Sequence, residues 1–449
     1  MRGKYDSMNA LVLGAGVSGE AAARLLLARG GRVLVLDGGD ASSRGEASER
    51  LRAAGGEVVF GGGTLPQERF DICVTSPGFA LGHPWIKECR QREIQIVSEL
   101  ELGGYYWQKR ILAVTGSKGK SSLVKLCADT LNSAGVAALP AGNYGTPLCQ
   151  LVLDNPELEW AVVEVSSFQM EHTRTFNSDI AILLNLQADH LDRHADMAEY
   201  KALKLKLFSV MQPGTLALLP ADFADDGAMP DGVGVQRFGA EATDADWAYA
   251  RHYVTGRADG AVFEVGLRGS WFDNEVLGAA AAAGTAALCR MGLDRKQIEN
   301  GLSGFKPLPH RVQEVAISKQ AVRFVDDSKA TSLAATAAAL RMVRKPVRLI
   351  AGGLLKENDL ESIKELLTQT SEKVYLIGQC ADQMFQAWST SVSCEVCGTL
   401  ECAVALAARE SQAGETVLLS PGTASFDQFK SYQERGKRFS ELVRAVADL

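Results

Sequence analysis

The run Ile111-Leu112-Ala113-Val114-Thr115-Gly116-Ser117-Lys118-Gly119-Lys120-Ser121-Ser122 decides the fold. Four apolar residues read as a buried strand and the spacing from Leu123 onward reads as a helix, so the Gly/Lys/Ser stretch is a strand-to-helix loop. Backbone N–H groups of such a loop wrap phosphate oxygens; Lys120 neutralises the terminal phosphates and the Ser121 hydroxyl reaches Mg²⁺. Val114 stands where G-x-x-x-x-G-K-[ST] has its first glycine, so the loop is a shortened variant. An accidental Gly-Lys-Ser turn is the plainer alternative, and the strand before it and helix after it count against that.

Upstream, β-rich runs at residues 10–13, 33–36, 58–60 and 71–74 alternate with helical patterns, which implies a parallel sheet with helices on its faces. Its first strand runs into Gly14-Ala15-Gly16-Val17-Ser18-Gly19, and Asp37 follows eighteen residues after the last glycine. Such glycines let a phosphate approach the next helix's N-terminus, and a strand-end Asp accepts from ribose hydroxyls or a uracil N–H. A tight turn without a ligand is the alternative. The same alternation resumes after Val114, with runs at residues 160–163 and 180–184, and again past Pro309, at 323–325, 347–350, 374–377 and 417–419. The expected architecture is α/β in three domains: a Rossmann-like domain over 1–105, a central P-loop ATPase-type domain over 106–308 and a Rossmann-like domain over 309–449. The Ala279–Ala283 run predicts a tightly packed helix from about Leu277 to Cys289, and the Gly/Asp-rich stretch from Asp222 to Asp246 a loop and hairpin region.

Composition agrees. The chain has 449 residues, enough for about three domains, and 46% apolar with 22% charged side chains is a globular balance. Its 47 basic and 54 acidic side chains give a net charge of −7, against a phosphate-neutralising nucleic-acid binder. No apolar run is long enough for a bilayer and the start lacks a signal-peptide pattern, so no membrane insertion and a cytoplasmic location are expected. Nine scattered cysteines read as reduced, buried thiols; with one Cys-x-x-Cys pair, Cys394 and Cys397, zinc is the weaker reading.

Two strand ends carry the groups that Mg²⁺ bound to ATP needs. One run enters Glu164-Val165-Ser166-Ser167-Phe168, the other Asn185-Leu186-Gln187-Ala188-Asp189-His190-Leu191-Asp192-Arg193. Read singly, Glu164 is a strand-end charge and His190 a loop histidine; beside Lys120 they form a constellation.

These runs, with Pro309-His310-Arg311-Val312-Gln313-Glu314, Asp327-Ser328-Lys329-Ala330-Thr331 and Ser420-Pro421-Gly422-Thr423-Ala424-Ser425-Phe426-Asp427, resemble in order and spacing the Mur ligases of peptidoglycan synthesis. The resemblance covers essentially the whole chain, and the last two runs look like those of the member adding D-glutamate to UDP-N-acetylmuramoyl-L-alanine. It implies a monomeric, ATP-dependent ligase with two Mg²⁺ ions that forms one amide bond through an acyl phosphate, releasing ADP and phosphate. It places the UDP on Gly14, Ala15, Gly16, Val17, Ser18, Asp37 and the Ser76-Pro77-Gly78 turn, and the muramoyl substrate on Asn143. ATP falls to Gly116, Ser117, Lys118, Gly119, Lys120, Ser121, Ser122, Asn274, Arg311 and Asp327. Ser121, Glu164, His190 and a carbamylated Lys204 are the implied metal ligands, and Lys120, His190, Lys204 and Lys329 the catalytic set. D-glutamate falls to His190, Lys329, Thr331, Lys356, Ser425, Phe426 and Tyr432, carried by a C-terminal domain that closes over the site.

Carbamylation would turn the ammonium of Lys204, which repels Mg²⁺, into an anion with two oxygens; Lys201 and Lys206 on the same helix read as solvated charges. The chain departs from the family pattern at Leu277, where an adenine-holding asparagine is expected, and at Leu354-Leu355, which replace an Asp-Gly-type pair. Four other readings compete: a dehydrogenase built on the Gly14 turn, which leaves the second phosphate loop unexplained; an ATP-driven switch, which needs no third-domain lysines; a folylpolyglutamate synthase, which lacks the first-domain nucleotide fold; and a Mur ligase that adds another amino acid.

Overall fold

A computed structural model of the chain describes residues 3–39, 45–154, 157–187, 193–224, 227, 229–241, 244–250, 252–258, 260–268, 275–343, 345–355 and 359–447. They fall into two compact units, Met1–Phe305 and Lys306–Leu449.

The first unit carries two sheets. The smaller runs Glu57–Phe60, Arg32–Asp37, Asn9–Leu13, Ile72–Thr75, Gln95–Ser98 across its width, all parallel. Chain order reverses between Asn9–Leu13 and Ile72–Thr75, and the crevice at the carboxyl ends of two such strands is where open α/β sheets take ligands. Gly14 and Ser76 follow those strands directly.

The larger sheet has nine strands, in the order Ala261–Gly266, Tyr253–Ala258, Trp247–Ala250, Gly234–Ala240, Leu216–Pro220, Ile180–Leu183, Arg110–Thr115, Trp160–Glu164, Ala138–Gly142. The strands nearest Arg110–Thr115 are buried on both faces, which explains their unbroken apolar runs. The Ala-rich helix Glu275–Arg290 buries Ala280 to Ala283 completely and lies close to helix Lys120–Ser133, where Gly284 approaches Leu123, Leu126 and Cys127. Gly234–Ala240 departs from the loop-and-hairpin expectation: it is a strand parallel to Leu216–Pro220, and only Phe238 of it is buried. The antiparallel strands begin after it, at Trp247–Ala250.

The second unit is a six-stranded sheet in the order Gln313–Ile317, Arg323–Asp326, Thr416–Leu419, Val347–Gly352, Ser371–Ile377, Cys394–Gly398. Only the first pairing is antiparallel. The nine cysteines are all free thiols, five of them buried; the buried reading fails at Cys402, which is exposed on the first turn of helix Leu400–Glu410. Among the described residues no helix is long and apolar enough to cross a membrane.

Candidate active site

The phosphate loop is held from behind. Asn185, just past strand Ile180–Leu183, accepts from the N–H groups of Ser117 (3.1 Å) and Lys118 (2.8 Å) and donates to Lys118 O (2.9 Å). Ser117 turns its hydroxyl inward to Gln187 O at 2.8 Å and lies 3.2 Å from the Tyr200 hydroxyl. Gly119 precedes helix Lys120–Ser133 at φ +83°, and a Cβ there would sit 2.8 Å from Leu184 and 2.6 Å from Val276, so the shortened loop needs glycine at that point. No side chain caps this helix, and its first N–H groups suit an anion.

Lysines from two helices converge on one backbone oxygen. Lys120 Nζ donates to Gly116 O at 2.8 Å and Ser117 O at 3.0 Å. Lys204, from helix Met197–Ser209, donates to the same Gly116 O at 2.8 Å and lies 4.4 Å from the centre of the Tyr200 ring, 1% exposed. Lys206 differs from the solvated reading: it is half-buried, bonds Met170 O at 2.7 Å, and burial lowers its pKa. Glu164 pairs in register with Val114, beside the start of the loop. Its Oε1 accepts from Asn143 at 2.6 Å, while its buried Oε2 has no partner. A buried carboxylate oxygen left over at a phosphate loop fits a divalent cation, which would take it with the Ser121 hydroxyl and nucleotide oxygens. His190 and Asn274 lie outside the described residues. Leu277 packs against the central core and offers a base no polar group.

At the first sheet, Gly19 approaches Gly14 so closely that a Cβ would stand 1.8 Å from Gly14 O. Asp37 works inward on this turn, accepting from Ala15 N at 2.7 Å and Gly39 N at 2.8 Å. Helix Val17–Ala28 starts at Gly16 without a side-chain cap, Val17 is exposed and Ser18 half-buried. The Ser76 hydroxyl is buried without a partner beside Gly14.

In the second unit, Asp327 sits at the end of strand Arg323–Asp326 and accepts from Ser420 Oγ at 2.8 Å and Val312 N at 3.3 Å. Burial raises its pKa to about 7. The neighbouring Asp326 holds His310 Nδ1 at 2.7 Å, and the His310 carbonyl accepts from Lys329 N. Lys329 Nζ lies 4.2 Å from the centre of the Tyr432 ring. Beneath them Arg435, 1% exposed, spends its donors on Ser328 Oγ and O and on Thr423 O, each at 3.0 Å. Ser425 is buried on that loop, whereas the adjacent Phe426 is 68% exposed, so the two side chains lie in different environments. Thr331 is half-buried and Lys356 lies outside the described residues.

Two contributors carried no sequence signal of their own. Asn185 was visible only as part of a strand-end run, and Arg435, on helix Tyr432–Ala447, stood in no motif read from the sequence.

A phosphate loop on one sheet, a glycine turn on another and a lysine-bearing strand end on a third define a nucleotide-using α/β enzyme with three sheets. Residues 114–283 match the model of the Mur ligase middle domain and 310–422 that of the Mur ligase glutamate ligase domain. A "UDP-N-acetylmuramoylalanine--D-glutamate ligase" of Nitratidesulfovibrio vulgaris is 35% identical over 444 residues, 98% of this chain and 96% of that protein. Its namesake in Desulfatibacillum aliphaticivorans is 32% identical over 443 residues, covering 97% and 98%. The MurF ligase of Thermotoga maritima, solved in complex with ADP, shares the fold at a TM-score of 0.61 and 16% identity, over 93% of this chain and 95% of that one. The chain belongs to the Mur ligase family, on the branch of the UDP-N-acetylmuramoylalanine–D-glutamate ligases.

Proposed function

We propose that the chain joins the alanyl carboxylate of UDP-N-acetylmuramoyl-L-alanine to the amine of D-glutamate at the expense of one ATP. The observation that carries this reading is the meeting of Lys120 and Lys204 at Gly116 O beside the orphaned Glu164 oxygen. That arrangement serves a phosphoryl transfer, which asks a protein mainly for positioning and charge stabilisation.

A carboxylate is a poor acyl donor, so the alanyl carboxylate attacks the γ-phosphorus of ATP, giving an acyl phosphate and ADP. The D-glutamate amine then adds to the acyl carbon, and the tetrahedral intermediate expels phosphate. Lys120 and the N–H groups opening helix Lys120–Ser133 draw charge from the transferring phosphoryl group. Ser121, Glu164, His190 and Lys204 are the residues that would hold two Mg²⁺ ions, which would supply charge neutralisation at the phosphates. Lys204 takes part as its carbamate, since an ammonium would repel a cation. The Gly14 turn, Asp37 and Ser76 hold the UDP; Asn143 orients the muramoyl part and Glu164 together. Arg311 and Asp327 serve ATP, and Lys329, Thr331, Lys356, Ser425 and Tyr432 serve D-glutamate.

The test is phosphate release from Mg²⁺-ATP and UDP-N-acetylmuramoyl-L-alanine with D-glutamate, L-glutamate, meso-diaminopimelate or no amino acid. Release that requires D-glutamate is expected. Release with another amino acid instead would reassign the acceptor, and none with any would return the chain to a nucleotide switch.

A further inference from the structure

The glycine turn and the phosphate loop belong to different sheets of the first unit, and one side chain links the segments beside them. Arg193 Nε and Nη2 grip both oxygens of Glu171, at 3.0 and 2.8 Å. The same guanidinium crosses to the smaller sheet, where Nη1 donates to Pro77 O at 2.7 Å and Nη2 to Phe79 O at 2.8 Å. It lies 4.1 Å from the centre of the Phe168 ring, and the Glu171 side chain is 2% exposed.

What Arg193 holds on one side is the wall of the glycine turn. Ser76, next to Pro77, donates its N–H to Leu13 O and sets its partnerless hydroxyl against Gly14, and Phe79 packs there as well. On the other side the chain of contacts continues to the phosphate loop. His194 meets Ser167 Oγ at 2.9 Å and lies 5.4 Å ring to ring from Tyr200, whose hydroxyl reaches Ser117.

We propose that Arg193 is a positioning residue that sets the UDP-holding turn relative to the phosphate loop, so that the carboxylate of the UDP-bound substrate meets the γ-phosphate. This rests on the ligase reading above. The geometry demands arginine: a planar fork can serve a carboxylate and two diverging carbonyls at once, and an ammonium cannot. Shortening it strands two carbonyls and a buried carboxylate.

The experiment compares wild type, Arg193→Lys, Arg193→Ala and Glu171→Gln in steady-state kinetics, with calorimetric binding of UDP itself and a thermal melt for each. Arg193→Lys is expected to raise KM for the UDP-substrate about tenfold and leave KM for ATP within about twofold. Arg193→Ala should recover part of the loss in added guanidinium. Glu171→Gln, which keeps the side-chain shape, should show the same split more weakly and serves if the Arg193 variants do not fold. An unchanged KM for the UDP-substrate, or an equal rise for both substrates, would overturn the role. Wild type that binds UDP without D-glutamate-dependent phosphate release would overturn the ligase reading alone. UDP binding equal in wild type and a folded Arg193→Ala would overturn the Arg193 role alone.

Discussion

Lys204 Nζ donates a 2.8 Å hydrogen bond to the carbonyl oxygen of Gly116, eighty-eight residues earlier in the chain. A buried lysine is costly unless a charge or a modification compensates it, and this one is aimed at the loop that would hold ATP's phosphates. Lys204→Ala is therefore expected to lower the ligation rate about 10²-fold or more. Millimolar short-chain carboxylate, refilling the place of the carbamate, should restore part of it. Full activity of the variant without added acid would remove Lys204 from the mechanism.

Asn185 gives the second prediction, because its amide faces both the N–H donors and a carbonyl of the phosphate loop. Asn185→Asp keeps the acceptor oxygens, loses the donation to Lys118 O and adds a negative charge beside bound phosphates. ATP affinity, followed by calorimetry with a non-hydrolysable analogue, should fall at least about tenfold, equivalent to ~1.4 kcal/mol. Unchanged affinity would mean the loop is set by other contacts.

Arg435 is buried against backbone and hydroxyl oxygens, and burial lowers its pKa to about 10. Arg435→Met leaves the oxygens of Ser328 and Thr423 without those donors. Denaturant unfolding should show a loss of about 2–4 kcal/mol, with KM for D-glutamate raised because Ser425 follows on the same loop. A variant as stable as wild type would show that water replaces the guanidinium.

Glu99 predicts a pH dependence in the first unit. Burial raises its pKa from 4.5 to about 7, while Cys149 N donates to it at 2.7 Å. With the folded value above the unfolded one, the folded chain holds the proton more tightly. Stability from this group is full below pH ~4.5, is lost as pH rises to ~7, and is level above. Glu99→Gln removes the loss, so its melting temperature relative to wild type should rise between pH 5 and pH 8, by up to about 3 kcal/mol in free energy. A difference independent of pH would mean that Glu99 ionises normally.

The glycine turn and the phosphate loop were legible in the sequence. Gly14 and Thr115, where the glycine turn and the phosphate loop begin, follow unbroken apolar runs, and strands buried on both faces write such runs. Strand Gly234–Ala240 was not legible, since only Phe238 of it is buried and its glycines read as loop. Asn185, Arg193 and Arg435 were opaque for another reason. Their partners lie up to 68, 116 and 107 residues away, and nothing local distinguishes an amide or a cation that reaches so far.

The most direct test of the account follows the oxygen atoms. UDP-N-acetylmuramoyl-L-alanine carrying isotopically heavy oxygen in its alanyl carboxylate is turned over with ATP and D-glutamate, and the released phosphate is weighed by mass spectrometry. Activation through an acyl phosphate predicts one heavy oxygen atom in each phosphate released, from the bond broken when the amine displaces it. Phosphate free of label, alongside normal amide formation, would contradict carboxylate activation by phosphoryl transfer at the Lys120–Lys204 centre.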